Sequence, residues 1–271
     1  MSILVVGHYC HDTLFGNAGT HRTVGGTAAY ASAILEALGE SYEVVAKVGA
    51  DFLYDDLVSR PAIVVPGPTT SFIDDYRGTE RLERVDAVTP AIEPADLRGT
   101  WEVGLAGAVV GEVPPRTLQR LRRISRIVVA DAQSILREIS PRGEVFLRRP
   151  SEEVLGLIDV LKASRREAEV LDVRALQGRL TLVVTDGKEG CSVLRGSARF
   201  HLPAYPAQEK DPTGAGDCFL AGFAAALARG LPLESAARVG AWCGARAVEH
   251  IGLPRLTPQE ARAAMGCARP P

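Results

Sequence analysis

The sequence lacks the features by which membrane-spanning and disulfide-stabilised proteins are recognised. No apolar run among its 271 residues approaches the roughly 20 needed to span a bilayer, so we expect no transmembrane helix. No Cys-x-x-Cys pair occurs, and the five cysteines are odd in number and widely spaced. That pattern predicts reduced thiols in a cytoplasmic protein. The cysteines are Cys10, Cys191, Cys218, Cys243 and Cys267.

An excess of charge of one sign is missing as well. The 31 Lys and Arg residues face 33 Asp and Glu residues, which leaves a formal net charge of -2. This balance provides no electrostatic basis for binding nucleic acid or an anionic membrane, and we predict neither partner. The one arginine-rich stretch lacks interleaved aromatic residues and is predicted to be the solvated face of a helix. It contains Arg116, Arg120, Arg122, Arg123 and Arg126.

Two common nucleotide-binding motifs are also absent. No Gly-x-x-x-x-Gly-Lys-[Ser/Thr] occurs, and no Gly-x-Gly-x-x-Gly follows the first predicted strand at residues 3–6. An NAD(P)-dependent oxidoreductase is therefore a distant alternative. The opening residues have no basic region and turn polar after Gly7, so we expect a first strand there and not a signal peptide.

What the chain does contain is an alternation of β-rich and helical segments. From residue 103 onward, predicted strands at 103–110, 126–130, 159–163 and 180–185 alternate with predicted helices at 115–124, 152–157 and 167–176. Upstream, residues 42–48 and 62–65 are predicted strands, and residues 51–59 a short helix. This alternation predicts an α/β fold with a doubly wound, mostly parallel sheet. With 46% hydrophobic residues the chain can bury one full core, so residues 1–271 are predicted to form a single domain.

The most informative stretch is Asp211-Pro212-Thr213-Gly214-Ala215-Gly216-Asp217, which leads into a predicted buried helix. The start of a helix presents unpaired backbone N–H groups that attract anions. Glycines there let a phosphate approach the backbone, and an ionised carboxylate beside it can accept a hydroxyl proton. The stretch therefore predicts a kinase site, with a purely structural glycine turn as the alternative.

This stretch resembles the second signature of the ribokinase-type (PfkB) carbohydrate kinases, Asp-Thr-x-Gly-Ala-Gly-Asp, with a proline in place of the usual threonine. The resemblance implies a ribokinase-like fold and a reaction that uses ATP and Mg²⁺. It implies Asp217 as the catalytic base and the amides of Gly214, Ala215 and Gly216 as the anion hole. It also makes Asp211 a candidate ligand of a monovalent cation such as K⁺.

A second stretch, Gly25-Gly26-Thr27-Ala28-Ala29-Tyr30-Ala31, resembles the family's first signature, Gly-Gly-x-x-x-Asn-x-Ala. The resemblance implies that the amides of Gly25 and Gly26 lie against the substrate. Tyr30 replaces the asparagine, which favours a different ring in the pocket. In the family an aspartate after the first strand holds sugar hydroxyls, which implies that role for Asp12; an ordinary turn residue is the alternative. Gln133 follows another strand end and is a further candidate substrate contact.

Weaker likenesses concern the phosphoryl donor. Residues 164–167 correspond to the family's Asn-x-x-Glu, which makes Glu167 a candidate ligand of Mg²⁺ through water; an ordinary first-turn acid is the alternative. Residues 185–190 resemble the turn under the nucleotide phosphates, although a plain hairpin turn has the same composition. The resemblance implies contacts to ATP from Thr185, Gly187, Gly190, Val248, Ile251 and Gly252.

Two regions, residues 13–24 and 69–88, resemble the segments that form a small β lid over the sugar site in this family. The second has the pattern of a hairpin, and an edge hairpin of the main sheet is the alternative. A lid would exclude water from the reaction.

These resemblances together imply an ATP-dependent kinase whose acceptor is a hydroxyl of a small sugar or cyclic polyol. The segment before Asp12, the Gly-Gly-x-Ala-x-Tyr variant and the Asp-Ala-Gln at 131–133 are most similar to the myo-inositol kinase branch. Kinases of ribose, fructose-type sugars or nucleosides remain alternatives. A non-catalytic, sugar-responsive binding protein is a further alternative, which the intact Asp217 disfavours. Both a monomer and a homodimer are compatible with the sequence.

Overall fold

The computed structural model describes residues 2–16, 19–75, 77–78, 82–140 and 142–268. Its strands are β1 (Ser2–Val6), β2 (Cys10–Gly16), β3 (Gly19–Gly25), β4 (Ser41–Val45), β5 (Lys47–Val48), β6 (Ile63–Val64), β7 (Ser71–Asp75), β8 (Leu82–Ala87), β9 (Trp101–Ala106), β10 (Ser125–Asp131), β11 (Arg137–Ile139), β12 (Val145–Leu147), β13 (Val160–Ser164), β14 (Thr181–Thr185), β15 (Cys191–Arg195) and β16 (Ala198–Leu202). Its helices are α1 (Thr27–Ala37), α2 (Pro115–Ile124), α3 (Gln133–Leu136), α4 (Glu152–Leu155), α5 (Arg165–Ala168), α6 (Val173–Gln177), α7 (Ala215–Ala228), α8 (Leu233–Ala247) and α9 (Pro258–Gly266).

Eight strands form the large sheet, in the order β16-β15-β14-β13-β10-β9-β1-β4. The six from β14 to β4 are parallel, and β15 and β16 add an antiparallel edge. Alternate residues of β1 enter different cores: Ile3 joins the cluster under α1, α7 and α8, and Leu4 joins the cluster under α2. A strand buried on both faces must be apolar throughout, which explains the alternation of unbroken apolar strands with helices. The prediction of a doubly wound α/β fold is confirmed.

Helix α7 crosses the large sheet and is buried along almost its whole length, from Cys218 to Ala228. Its small residues allow close packing on α8; a Cβ added at Gly222 would lie 2.7 Å from Cys243 Sγ. The helix begins after Gly214, whose φ of 74° is a left-handed conformation that favours glycine. The sequence therefore fixes both the buried body of this helix and the turn that leads into it.

A second, small sheet has the order β3-β2-β7-β8. Its outer pairs are antiparallel, while β2 and β7 run parallel. The hairpin of β7 and β8 thus pairs with β2 and not with a strand of the large sheet. These strands occupy most of the two segments predicted to form a lid; residues 17–18, 76 and 79–81 of those segments lie outside the described residues.

Several predicted elements were wrong in detail. Residues 51–59 form only a single 3₁₀ turn at Asp55–Leu57, because Asp51 instead accepts hydrogen bonds from the Thr69 amide and hydroxyl at 2.8 and 2.7 Å. The predicted helix at 167–176 is two short helices, α5 and α6, and Asp172 caps the second. The predicted strand at 42–48 is interrupted after Val45, where the chain turns to pair with β6.

The hairpin of β11 and β12 was not predicted, nor were the antiparallel strands β15 and β16. None of the helices in the described part of the chain is both long and apolar enough to cross a membrane.

Candidate active site

Asp217 lies in the first turn of α7 and faces a cavity between the two sheets. The hydroxyl of Thr27, the first residue of α1, donates a hydrogen bond to Asp217 Oδ1 at 2.5 Å. Burial and the neighbouring charge of Asp131 raise the pKa of Asp217 to about 6, although the Thr27 hydrogen bond and the Lys162 charge oppose the shift. A carboxylate with this pKa is ionised at neutral pH and is still basic enough to accept a proton.

Unpartnered backbone amides surround Asp217. The N–H groups of Gly214, Gly216 and Asp217 have no acceptor within the described residues, and that of Ala215 makes only a 3.3 Å contact with the Pro212 carbonyl. Free amides at the start of a 14-residue helix can bind an anion. A larger residue at Gly214 would meet the Tyr30 ring at 2.2 Å, and one at Gly216 would displace the end of the Lys162 side chain, whose Nζ lies 2.5 Å from the Cβ position.

The cavity beside these amides has a volume of 150 Å³. It brings together residues that are far apart in the chain, from the small sheet, from α1, from the ends of large-sheet strands and from the turn before α7. Seven of the predicted catalytic and substrate-binding residues line it: Asp12, Gly26, Tyr30, Gln133, Gly214, Gly216 and Asp217. Gly25 lies just behind it, since a Cβ there would collide with the Asp12 carboxylate at 1.7 Å.

Tyr30 forms part of the cavity wall and is 1% exposed. Its ring occupies the space beside Gly214, where a Cβ would lie 2.2 Å from the ring. The Tyr30 hydroxyl is buried and has no hydrogen-bond partner in the part of the chain that the structure describes. A buried hydroxyl without a partner is costly.

Two cationic residues at the cavity were not predicted from the sequence, Lys162 and Arg137. Lys162 Nζ contacts Asp131 Oδ2 at 2.7 Å, and both side chains are buried. Burial alone would lower the pKa of Lys162, but the charges of Asp131 and Glu167 outweigh it and hold the pKa above its usual value. A lysine inside the otherwise apolar strand Val160–Ser164 was the available signal, because buried lysines are rare without a partner. Arg137 had no such signal, since its hairpin was not predicted.

Glu167 caps α5 together with Ser164. Glu167 Oε2 accepts hydrogen bonds from the Ser164 amide and hydroxyl, both at 2.8 Å. Burial would raise the pKa of Glu167, but the Lys162 charge and the Ser164 hydrogen bonds hold it below its usual value. Oε1 accepts no hydrogen bond from the described residues, so one oxygen of an ionised carboxylate remains. Such an oxygen fits hydrated Mg²⁺, which typically uses one or two carboxylates and substrate phosphates.

Within the described residues there is no cluster of three or more His, Cys, Asp or Glu side chains arranged to bind a metal. Asp211 is buried and shapes the turn before α7. Its two oxygens accept the amides of Thr213 at 2.9 Å and Gly252 at 3.4 Å.

The predicted nucleotide contacts lie in two places. Thr185 ends β14 beside Ser164, so it shares the edge of the sheet with Glu167. Gly187 has a φ of 51° and open space where a Cβ would be, whereas a Cβ at Gly190 would lie 2.0 Å from the Leu202 carbonyl. Gly187 thus leaves room for a ligand, and Gly190 permits close packing of β16.

The other three predicted nucleotide contacts follow α8. The Val248 carbonyl accepts the amides of Lys210 and Asp211 at 2.7 and 3.2 Å. Ile251 is exposed and lines a different cleft, of 610 Å³, between α1 and residues 250–256. Gly252 has a φ of 75° and lies next to Thr23.

Comparison with known proteins gives the same class of enzyme. Residues 102–259 match the model of the pfkB family carbohydrate kinases. The inositol 3-kinase of Oryza sativa subsp. japonica is 39% identical over 94% of this chain and 70% of its own length. That of Arabidopsis thaliana is 35% identical over 94% of this chain and 76% of its own length.

Solved structures share the fold at lower identity. A pyrophosphate-dependent kinase of the ribokinase family in complex with sulfate superposes with a TM-score of 0.82 at 22% identity, covering 96% of this chain and 99% of that one. Ribokinase from Thermotoga maritima gives a TM-score of 0.75 at 20% identity, covering 98% and 99%. The predicted ribokinase-like fold and the prediction of a phosphotransferase are confirmed, and the chain belongs to the pfkB family of carbohydrate kinases.

Proposed function

We propose that this protein transfers the γ-phosphoryl group of ATP to a hydroxyl of myo-inositol. The observation that carries the proposal is the meeting, at one small cavity, of the Asp217 carboxylate with the unpartnered amides of Gly214 and Gly216. A base for the acceptor hydroxyl and an anion site for the phosphoryl group are the two parts that such a transfer needs. The inositol 3-kinases that are 35–39% identical to this chain support the choice of acceptor and the 3-hydroxyl as its position.

In the proposed mechanism the acceptor hydroxyl lies against Asp217, which removes its proton as the phosphoryl group arrives. The helix-start amides stabilise the negative charge on that group. Bound Mg²⁺ would neutralise the donor phosphates, and we propose that Glu167 holds it through water. Thr185 and Gly187 are proposed to contact those phosphates, and Val248, Ile251 and Gly252 the adenine.

The chemistry of the cavity supports a small, neutral, hydroxyl-rich acceptor. The carboxylates of Asp12 and Asp74 line it, and carboxylates accept hydrogen bonds from hydroxyls and repel phosphates. Its 150 Å³ is small beside the roughly 300–1,000 Å³ of sites for drug-sized ligands, which favours a single ring over a nucleoside. Tyr30, which lines the cavity, is proposed to contact the bound polyol.

We propose that the small sheet acts as a lid, comprising residues 13–24 and 69–88, on a single domain of residues 1–271. Phe72 and Asp74 of β7 face the cavity from this sheet, which supports the assignment. A closed lid would keep water away from the donor and so limit ATP hydrolysis. The five unpaired cysteines support a cytoplasmic location, and Asp211 is proposed to bind K⁺ with turn carbonyls.

The test is a screen of phosphoryl acceptors. ADP release would be measured with myo-inositol, ribose, fructose, cytidine and a sugar phosphate, with and without Mg²⁺, and in KCl against choline chloride. Pyrophosphate would replace ATP in a parallel series that detects phosphate release. We expect the highest kcat/KM for myo-inositol with ATP and Mg²⁺. Chiral separation should identify the product as the 3-phosphate. A higher kcat/KM for another acceptor or for pyrophosphate would overturn the assignment, and no turnover with any pair would favour a binding protein.

A further inference from the structure

An ion pair between two described residues joins the small sheet to the β11–β12 hairpin beside the cavity. Arg137 Nη1 contacts Glu83 Oε1 at 2.9 Å, and their side chains are only 14% and 18% exposed. Glu83 belongs to β8 of the small sheet, whereas Arg137 follows α3, which begins just after Asp131 at the end of a large-sheet strand. Both residues line the cavity that contains Asp217. The pair therefore links the small sheet to the β11–β12 hairpin at the wall of the cavity.

The backbone around Arg137 is attached to both sides. On the large-sheet side, the Leu136 amide donates to the Ala132 carbonyl at 2.9 Å, and the Ala132 amide donates to the Lys162 carbonyl of β13 at 2.7 Å. On the small-sheet side, the Val85 amide donates to the Gly143 carbonyl at 3.1 Å. A displacement of the small sheet must therefore be transmitted to the hairpin that begins with Arg137.

Arg137 also has unused hydrogen-bonding capacity. The Glu83 contact occupies one of its N–H groups, and the others have no acceptor in the described stretches of the chain. A guanidinium presents several N–H donors in a fixed plane and suits phosphate oxygens. This cation lines the same small cavity as the Gly216 end of the anion site.

We propose that Arg137 is a catalytic residue that binds an oxygen of the phosphoryl group during transfer, and that Glu83 positions it when the small sheet is closed. This inference rests on the proposed phosphoryl transfer and adds a donor to the anion site that the sequence did not predict. Closure of the small sheet would then also complete the anion site, because Glu83 holds Arg137 in its binding position only when the sheet is closed. The alternative is that the Arg137–Glu83 ion pair is purely structural.

The test compares Arg137→Gln, Arg137→Lys and Glu83→Gln with Arg148→Gln. Arg148 belongs to the same hairpin and pairs with Glu138 at 2.9 Å, but its side chain is 71% exposed. Using the best acceptor of the wild type, we expect Arg137→Gln to lower kcat by about 10²–10³-fold, as for loss of an oxyanion donor. Its KM for the acceptor should change little, Arg137→Lys should keep part of the activity, and Arg148→Gln should match the wild type.

A pH profile tests whether the charge of Arg137 acts on Asp217, and the kcat of the same variant tests the catalytic role. The positive charge of Arg137 is one of the influences that lower the pKa of Asp217. Arg137→Gln should therefore move the acid limb of kcat/KM to higher pH, and Arg148→Gln should leave it in place. If Arg137→Gln had near-normal kcat and an unchanged acid limb, Arg137 would have only a structural role.

Binding provides a readout that does not depend on turnover. ADP with aluminium fluoride mimics a phosphoryl group in transfer, and its stabilisation of the protein would be followed by Tm in the presence of the polyol. We expect Arg137→Gln and Glu83→Gln to lose most of this gain in Tm, and Arg148→Gln to retain it. Equal gains in all variants would overturn the role of Arg137.

Absent turnover in the wild type would instead overturn the proposed kinase activity, while the Tm comparison would still report on Arg137. Arg137→Lys keeps the charge and serves if Arg137→Gln does not fold.

Discussion

At the scale of single residues, the site depends on a carboxylate that is held away from water. Thr27 fixes the orientation of Asp217 from a different helix, and burial keeps Asp217 basic. Replacement of Asp217 by Asn should preserve the shape and remove the base. We expect kcat to fall by about 10²–10⁴-fold, the usual worth of general-base catalysis, with ATP affinity nearly unchanged. Steady-state kinetics together with calorimetric ATP binding would check this, and near-normal turnover would remove Asp217 from the mechanism.

The raised pKa of Asp217 has two consequences for pH dependence. Below its pKa of about 6 the carboxyl is protonated, so kcat/KM should fall about tenfold per pH unit there. Because the folded-state pKa exceeds the unfolded value, ionisation of Asp217 opposes folding, and this cost grows as pH rises from about 4 to above 6. The gain in Tm of Asp217→Asn over the wild type should therefore be larger at pH 7.5 than at pH 4. Equal gains at both pH values would show that Asp217 has an ordinary pKa.

Gly214 is required for two separable reasons. Its left-handed φ of 74° strains any other residue, and Tyr30 fills the place of a Cβ at 2.2 Å. Gly214→Ala should therefore displace the anion site and lower kcat by about 10²-fold or more. Gly230→Ala is the matched control, since Gly230 has a φ of 75° but open space around it. Backbone strain should cost both variants about 1–2 kcal/mol of stability. Only Gly214→Ala should lose kcat in steady-state kinetics. Similar kcat values in the two variants would contradict a role for the Tyr30 contact.

At the scale of elements, helix α7 was predictable because its function and its packing use the same signals. The sequence shows both the glycines that let an anion approach the start of the helix and the small residues that let α8 pack closely against it. The segment at 51–59 was not predictable, because the Asp51 carboxylate caps the Thr69 backbone from a distant part of the chain. Local propensity cannot anticipate such a tertiary contact. The same limit applied to the β11–β12 hairpin, whose place depends on the small sheet.

The packing of α7 on α8 gives a prediction about stability alone. A methyl group at Gly222 would meet Cys243 Sγ at 2.7 Å, while one at Gly266 in α9 would meet nothing within 4 Å. Gly222→Ala should destabilise the protein by about 1–3 kcal/mol through overpacking. Gly266→Ala should leave the stability nearly unchanged or raise it by less than about 0.5 kcal/mol, because Gly266 is the last residue of α9 and alanine is the better helix former. Urea unfolding would measure both, and equal shifts in the two variants would contradict this tight packing.

At the scale of the molecule, residues of both the small sheet and the large sheet line the cavity. The candidate residues at 25–30 and 211–217 were predictable because they lie in recognisable local motifs. Lys162 and Arg137 carry no such motif, and their positions follow from pairing with Asp131 and Glu83 across the fold. Residues that act through distant partners are thus the part of the site that a single sequence does not reveal.

Hydrogen exchange would test the proposed closure of the small sheet over the acceptor. Amides of β2, β3, β7 and β8 should exchange more slowly when the acceptor polyol binds, because a contact across the cavity suppresses local opening. Amides of β1, β9 and β10 should be unaffected, since those strands lie within the large sheet and are already protected. A polyol that is not turned over provides the control at the same concentration. Uniform slowing across both sheets would indicate general stabilisation by binding, and no slowing in β7 and β8 would contradict the proposed lid.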